Sequence, residues 1–486
     1  MPDDSPARDG SSAPGDHASI ATAGPDPLLA GLDAYVDASR PEFERRLREL
    51  VGAAGVSADP AYAPDIVRTA ELAAAQLREA GLAARIVATA GNPVVVGEYL
   101  AGPSRPTVTI YNHLDVQPAD PAEWLTEPFR LTIDGDRYLG RGSTDDKGPA
   151  LTALQAAQYA AARALPLNIR FVWELEEEIG SPNFEAFVRA ELPRLATDSV
   201  LVSDTIWISA DRPAIDYGLR GLVTFEVTIE TGTADTHSGL TGGPARNPLA
   251  ELAQIVAECL DPATGQVLIP GFADAVAPVS AAELDDFVAS GFDVDVFRAA
   301  HGLAALRTTD AREVVRRIMA EPTFEVHGFT GGYTGPGVKT VVPPRATVKL
   351  SARIVPHQQP TEVFALVRDF ITTRHPDAHV EMEAALAPYL GPRTGPHAEL
   401  AANAVEFAFG RRPAFVREGG SIGAVLTMDQ YLKAPVTLLG LSLPSHGYHA
   451  PNEHFDWTQA AGGIRMFTHY FAHLAAAPRQ VVPGRS

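Results

Sequence analysis

Histidine and carboxylate side chains follow several apolar segments of this sequence at the point where each segment ends. In "RPTVTIYNHLDVQP", His113 and Asp115 come after a run of β-branched and aromatic residues that favours a strand. Residues two apart in an extended chain point to the same side, so the imidazole and the carboxylate would lie together. This pair alone fits either a polar loop or a metal-binding histidine supported by an aspartate.

Three further segments place carboxylates in the same kind of position. They are "YLGRGSTDDKGP" with Asp145 and Asp146, "NIRFVWELEEEIGS" with Glu176, Glu177 and Glu178, and "SVLVSDT" with Asp204. Burying an ionised carboxylate without a partner is costly, whereas a divalent cation relieves the repulsion within a group of them. A solvated loop explains any one of these segments, but it explains four in succession poorly.

A late segment, "LPSHGYHAPNEHFD", offers His446, His449 and His454, one of which is predicted to be a ligand. Cys259 is the only cysteine, so the ligands must be nitrogen and oxygen atoms, which suit Zn²⁺ and also Mn²⁺ or Co²⁺. Two imidazoles with three or four carboxylates exceed what one zinc ion needs. They favour two metals that share a bridging carboxylate.

The elements that must position these residues alternate along the chain. Residues 28 to about 90 carry helix formers at helical spacing, and strand-like and helix-like segments then alternate up to about residue 215 and again after about residue 387. This alternation predicts an α/β domain with a mostly parallel central sheet. Ligands bind such a sheet at the carboxyl ends of its strands, so separate strands would deliver their acids to one crevice.

The intervening segment follows a different pattern. Residues 216–386 read as β-α-β-β-α-β, the order of a ferredoxin-like α+β domain, interrupted at about 261–322 by a largely helical insertion. The sequence therefore predicts a disordered tail at 1–27, a catalytic domain from 28–215 and 387–486, and a second domain inserted into it.

Composition narrows the class of protein. A chain of 486 residues exceeds what one hydrophobic core usually supports, so two domains are expected. The formal net charge of −21 disfavours nucleic acid and membranes as partners. A single cysteine excludes an intrachain disulfide and fits a cytoplasmic location. The first residues lack the features of a signal peptide, and no apolar run is long enough to cross a bilayer.

Eight segments in chain order resemble the motifs of one enzyme family. They are "HLDVQP", "GRGSTDDKG", "EEEIGS", "SDTIW", "THSG", "SARIVP", "EGGSIG" and "HAPNE". The family is that of the dinuclear zinc metallopeptidases, which includes carnosinase-type dipeptidases, carboxypeptidase G, aminoacylase and acetylornithine deacetylase, and the chain resembles the dipeptidase branch most. The resemblance covers nearly the whole chain after the tail. It implies a zinc-peptidase-like catalytic domain that binds two divalent metals per subunit, with Zn²⁺ as the preferred metal. It also implies a homodimer in which the inserted domain serves as the lid and as the dimer interface.

The resemblance also implies roles for individual residues. Its metal ligands would be His113, Asp145, Glu178, Asp204 and His449. Among these, Asp145 would bridge the two metals. Asp115 would orient His113, and Glu177 would be the general base. Glu176 would be structural.

Substrate contacts follow from the same resemblance. His237 would reach the site of the neighbouring subunit and stabilise the oxyanion. Arg353 would bind the terminal carboxylate of the substrate, for which a guanidinium is a fitting donor. Backbone N–H groups of Gly420 and Ser421 would bind the same carboxylate. His397 would line the pocket.

The expected reaction is hydrolysis of the peptide bond of dipeptides or short peptides by a water that bridges the two metals, with Glu177 as general base. An aspartate at position 204 tends to accompany substrates with a free amine in this family. One alternative is a deacylase or desuccinylase of N-acyl amino acids with the same metal core. Another is a non-catalytic metal-binding module, against which the intact base and ligand set speak.

Overall fold

The computed structural model describes residues 29–476, so the predicted tail at 1–27 lies outside the described residues. The described helices are α1 (Leu32–Val51), α2 (Ala63–Glu79), α3 (Gly148–Ala162), α4 (Phe184–Glu191), α5 (Ser238–Thr241), α6 (Pro248–Cys259), α7 (Ala281–Ala289), α8 (Val294–Ala300), α9 (Ala311–Ala320), α10 (Pro360–Arg374), α11 (Pro396–Phe409), α12 (Gly423–Leu432) and α13 (Trp457–Ala476). None of them combines the length and the apolar character that a bilayer crossing requires.

The described strands form four sheets. They are β1 (Ala83–Val87), β2 (Val94–Tyr99), β3 (Thr107–His113), β4 (Thr132–Asp134), β5 (Arg137–Leu139), β6 (Asn168–Glu174), β7 (Ser199–Val202), β8 (Ala214–Leu219), β9 (Gly221–Glu230), β10 (Thr236–His237), β11 (Thr323–Gly331), β12 (Val341–Val342), β13 (Arg345–Ile354), β14 (His379–Leu386), β15 (Tyr389–Leu390), β16 (Ala414–Glu418), β17 (Val436–Leu438) and β18 (His454–Asp456).

The central sheet contains nine of the described strands, in the order β1-β2-β6-β3-β7-β17-β8-β15, with β16 also paired to β8. Its middle strands β6, β3, β7 and β17 run parallel, and antiparallel pairs flank them. The predicted α/β fold with a mostly parallel central sheet is thus confirmed. The predicted helical region, however, ends too late: β1 is a strand, because its residues pair with β2 at the sheet edge.

Helices cover both faces of this sheet. One core cluster packs α1, α2, α3, α11 and α13 on one face, and a second cluster packs α4 and α12 on the other. α3 is apolar on nearly every side, and Leu151, Leu154 and Tyr159 are completely buried in it. Burying each such side chain stabilises the folded state by about 1.5–3 kcal/mol. This packing holds the start of α3 beneath the edge of the sheet.

A four-stranded antiparallel sheet in the order β11-β13-β9-β14 carries α6 and α10 on one face. This is the strand order of a ferredoxin-like fold, as predicted. The chain passes from the central sheet into this one through a single residue, Arg220, between β8 and β9. Helices α7 and α9, from the segment between α6 and β11, pack against β16 of the central sheet.

Candidate metal centre

Parallel strands bring the predicted ligands to one edge of the central sheet. His113 ends β3 opposite the last residue of β6, and β7 runs parallel to β3 on its other side. The loops after β6 and β7 therefore begin beside His113, and they carry Glu177, Glu178 and Asp204. This is the carboxyl edge at which ligands bind parallel sheets.

Asp145 joins two groups of potential ligands. In the described part of the chain, the ligand atoms within each group lie within 4.8 Å of one another, and the groups are His113, Asp146 and Asp204, and Asp145, Glu178 and His449. The Asp145 Oδ1 atom lies 2.8 Å from His113 Nε2, and its Oδ2 atom lies 2.9 Å from His449 Nε2. One carboxylate thus faces two imidazoles with its two oxygens, which is the arrangement of a bridging ligand.

The charges of the site fit divalent cations. Burial alone would lower the pKa of His113, but nearby carboxylates, Asp204 foremost, raise it well above its usual value. Burial also opposes protonation of His449, yet Asp145 and Glu178 raise its pKa to about 10. The carboxylates therefore favour positive charge at this position. A divalent cation supplies that charge while the imidazoles stay neutral, which is the form in which they act as ligands.

Asp115 fixes both a ligand and the loop of the predicted base. It is fully buried, and its carboxylate accepts hydrogen bonds from the backbone N–H groups of Glu177 at 3.2 Å and Glu178 at 3.1 Å. The His113 Nδ1 atom lies 3.1 Å from the Asp115 carbonyl oxygen and 3.4 Å from its Oδ1. One side chain thus couples the orientation of the imidazole to the position of the glutamates.

Glu177 lies among the charged groups of the site. Burial raises the pKa of its carboxyl group well above the usual range; His113 opposes this shift, and Asp204 and Glu178 add to it. A raised pKa makes the Glu177 carboxylate a stronger proton acceptor than an exposed glutamate is.

Glu453 was not predicted from the sequence, although it ends the "HAPNE" motif. Its buried Oε2 accepts hydrogen bonds from Arg141 Nη1 at 2.8 Å and from the Gly142 N–H at 2.9 Å. Its Oε1 accepts from the Thr144 N–H at 2.9 Å and from the Asp145 N–H at 3.1 Å. Glu453 therefore holds the turn that presents Asp145. Its place between His449 and His454 was the only signal in the sequence.

Two more neighbours of the ligands were also missed, and a third, Asp146, was named without a role. The Tyr448 hydroxyl donates to Asp204 Oδ1 at 2.5 Å, and Gln117 Nε2 donates to Glu178 Oε2 at 2.7 Å. Asp146, adjacent to the predicted bridge, lies within ligand distance of His113 and Asp204. Only the three-dimensional contacts single out Tyr448 and Gln117.

The predicted carboxylate-binding residues lie beside the same loop. Arg353 Nη1 donates to the Ser421 hydroxyl at 3.2 Å, and Gly420 adjoins that serine. A Cβ atom on Gly423 would lie 3.4 Å from the Gly180 carbonyl oxygen, so this turn packs against the end of the loop that carries the glutamates. Arg353 and the turn are therefore neighbours of the metal-binding edge.

Two predicted histidines are not brought to the ligands. His237 ends β10 and is exposed, and its Nδ1 accepts a hydrogen bond from the Gly239 N–H within its own turn. Burial lowers the pKa of His397, and Asp198, which precedes β7, opposes this shift. It lines a small pocket with Asp216 and Thr437.

Two imidazoles and several buried carboxylates lie at the carboxyl edge of a parallel sheet, beside a glutamate whose raised pKa suits a proton acceptor. Together they define a metal-dependent hydrolase. The chain belongs to peptidase family M20/M25/M40, whose model matches residues 109–473.

Similar proteins cover almost the whole chain. The Cys-Gly metallodipeptidase dug1 of Schizosaccharomyces pombe is 33% identical over 92% of this chain and 98% of its own length. The structure of human carnosine dipeptidase 1 is 31% identical and superposes with a TM-score of 0.79 over 93% of this chain and 100% of its own. That of the M20 family metallo-carboxypeptidase Sso-CP2 from Sulfolobus solfataricus is 29% identical, with a TM-score of 0.82 over 90% of this chain and 100% of its own.

Proposed function

We propose that this protein hydrolyses dipeptides that have a free amino and a free carboxyl terminus. The site described would bind two divalent cations, with Zn²⁺ as the preferred metal. The observation that carries the proposal is the Asp145 carboxylate, whose two oxygens face His113 at 2.8 Å and His449 at 2.9 Å. The dipeptide substrate is taken from relatives named as dipeptidases, and Asp204 agrees with a free amine.

The ligands proposed for the cations are His113, Asp145, Glu178, Asp204 and His449. When bound, the cations would acidify a water molecule and polarise the peptide carbonyl group. Glu177 would accept a proton from that water on a carboxylate oxygen and pass it to the nitrogen of the leaving amine. Asp115 would hold His113 and the Glu177 loop in register. Arg353, Gly420 and Ser421 would bind the terminal carboxylate.

The test is hydrolysis of Ala-Ala and N-acetyl-Ala-Ala by protein treated with a chelator and then given Zn²⁺ or Mn²⁺. We expect metal-restored cleavage of the free-amine substrate alone, and a Glu177→Gln variant that binds metal but loses about 10²–10⁴-fold in kcat. Cleavage of the acetylated substrate alone would move the protein to the deacylase alternative. Loss of metal binding in the Glu177→Gln variant would contradict its assignment as base rather than ligand.

We also propose a homodimer in which His237 serves the partner's site. The exposed position of His237, together with the exposed Leu240 and Val338 near it, supports this arrangement. Mixing Glu177→Gln subunits with His237→Ala subunits tests it, because a mixed dimer would contain one site with both residues intact. If the subunits exchange at random, half of the dimers are mixed, and one of the two sites in each mixed dimer has both residues. About a quarter of all sites should therefore be active. A mixture as inactive as either variant would exclude the exchange.

A cytoplasmic location remains a proposal of the same kind. It rests on the single cysteine, Cys259, which is buried and forms no disulfide within the described chain. Fractionation of the producing cell would test it directly.

A further inference from the structure

A cavity of about 740 Å³ lies between the open face of the four-stranded sheet and the helical segment that contains α8 and α9. Leu222 and Thr224 of β9 line it from the sheet, and Phe297 of α8 lines it from the helical segment. Arg353 also lines it, so the cavity borders the proposed site for the terminal carboxylate of the substrate. Its volume is in the range of pockets that bind small molecules.

The charged lining of this cavity is predominantly basic. Four arginines and two glutamates line it, namely Arg220, Arg307, Arg317, Arg353, Glu321 and Glu325. The lining thus has an excess of two positive charges, in a chain whose formal net charge is −21. Two of these residues are paired with groups outside the lining, Glu321 with Arg316 and Arg317 with Glu313, so the excess of two positive charges is unchanged. A basic cavity on so acidic a protein points to an anionic ligand.

Arg220 and Arg353 form no salt bridge among the described residues, although the Glu325 carboxylate also acts on Arg220. Arg353 donates to the Ser421 hydroxyl, and Arg220 Nε donates to the Gly419 carbonyl oxygen at 3.3 Å. The Arg220 Nη1 atom is buried and has no hydrogen-bond partner within residues 29–476. Burial and, to a smaller extent, the nearby Arg353 lower the pKa of Arg220 to about 10, and Glu325 opposes this shift. A buried guanidinium without an anion is costly, so a bound anion would stabilise this pair.

The backbone makes room for Arg220. A Cβ atom on Gly419 would lie 2.9 Å from Arg220 Nη2, too close for any larger residue to fit without displacing the guanidinium. The Arg220 N–H also donates to the Gly420 carbonyl oxygen at 3.1 Å. Arg220 is therefore built into the same turn that is proposed to bind the substrate's terminal carboxylate.

We propose that this cavity receives the side chain of the substrate's C-terminal residue and selects an acidic one, so that dipeptides ending in glutamate or aspartate are preferred. This inference rests on the proposed function. Arg353 and Ser421 bind the α-carboxylate, and the second carboxylate of the same residue pairs with Arg220, Arg307 and Arg317. Guanidinium groups suit this role because they bind carboxylates with paired hydrogen bonds.

The experiment compares kcat/KM for Ala-Glu, Ala-Gln and Ala-Lys in the metal-restored protein. Ala-Glu should exceed Ala-Gln by about tenfold, since hydrogen bonds to charged groups discriminate on this scale, and Ala-Lys should be the poorest. The preference should fall to within about twofold in an Arg307→Gln/Arg317→Gln double variant. Arg312→Gln is the matched control, because Arg312 is on α9 but pairs with Asp285 outside the cavity lining. It should keep the wild-type preference.

A binding measurement separates this inference from the proposed function. Calorimetric titration of the metal-free protein should show glutamate binding about tenfold more tightly than glutamine, and the double variant should lose the difference. If the wild type hydrolyses Ala-Gln as well as Ala-Glu or better, the acidic preference is overturned and dipeptide hydrolysis is not. An unchanged preference in the folded double variant would have the same consequence. Failure to cleave any dipeptide would overturn both proposals.

Discussion

Replacing Glu453 by glutamine tests the site at a residue that touches neither metal nor substrate. The buried carboxylate accepts four hydrogen bonds: Arg141 and the Gly142 N–H share one oxygen, and the Thr144 and Asp145 N–H groups share the other. A glutamine amide offers one oxygen only. Whichever way it is turned, two donors lose their acceptor.

The magnitude follows from those contacts. Hydrogen bonds to a charged group contribute about 1.5–3 kcal/mol each, and breaking one partner of a buried ion pair costs about 3–5 kcal/mol. We therefore expect the variant to lose about 3–5 kcal/mol of unfolding free energy. Because the turn presents Asp145, we also expect its metal affinity to fall by about 10–100-fold. Urea denaturation and competition with a chromophoric chelator measure the two effects. Burial raises the pKa of Glu453 to about 7, so the assay belongs near pH 8, where the carboxylate is ionised.

An Arg141→Met background separates two explanations. If Glu453 acts only by neutralising Arg141, its replacement should no longer lower metal affinity once the arginine is gone. If it acts through the backbone of Thr144 and Asp145, the loss should persist in the double variant. We expect persistence. A folded Glu453→Gln protein with wild-type metal affinity would refute the reasoning.

Three further predictions follow from buried polar groups. Tyr448→Phe removes the hydrogen bond to Asp204 and should weaken metal binding by about tenfold, measured by the same chelator competition, whereas unchanged affinity would count against a supporting role. Burial raises the pKa of Asp216 to about 7, so the folded state binds this proton more tightly than the unfolded state; the resulting stability is present below about pH 4 and is lost as the pH rises to about 7. Asp216→Asn should remove this loss of about 4 kcal/mol. The unfolding free energy of both proteins is measured by denaturation between about pH 4 and pH 7, and an identical dependence on pH in the two would contradict the reasoning. Cys259 is buried and its pKa is raised to about 12, so it should react with a thiol reagent only after unfolding, and rapid labelling of the native protein would contradict this.

The sequence was informative about the fold where periodicity was strong. The alternation of elements predicted the mostly parallel sheet, and the β-α-β-β-α-β order predicted the ferredoxin-like sheet. It failed at β1, where alanine-rich residues favour a helix locally but pair with β2 in the folded chain. Strand pairing is a long-range interaction that local propensity does not include.

The candidate site divides in the same way. His113, Asp115, Glu177 and Asp204 follow apolar strands, so the sequence alone predicted that they meet at the carboxyl edge of a parallel sheet. Family resemblance then suggested their individual roles and added His397, which belongs to neither group of ligands in the described chain.

What only the tertiary structure decided is which distant groups support the site. Glu453 accepts a hydrogen bond from Asp145 across 308 positions of the chain, and Tyr448 donates to Asp204 across 244. The basic cavity likewise combines Arg220, from the crossing between the two sheets, with Arg317 of the helical insertion. The sequence by itself determined the chemistry available, because residue types and strand ends are local properties. It could not determine these partners, because such contacts depend on how the separate elements pack.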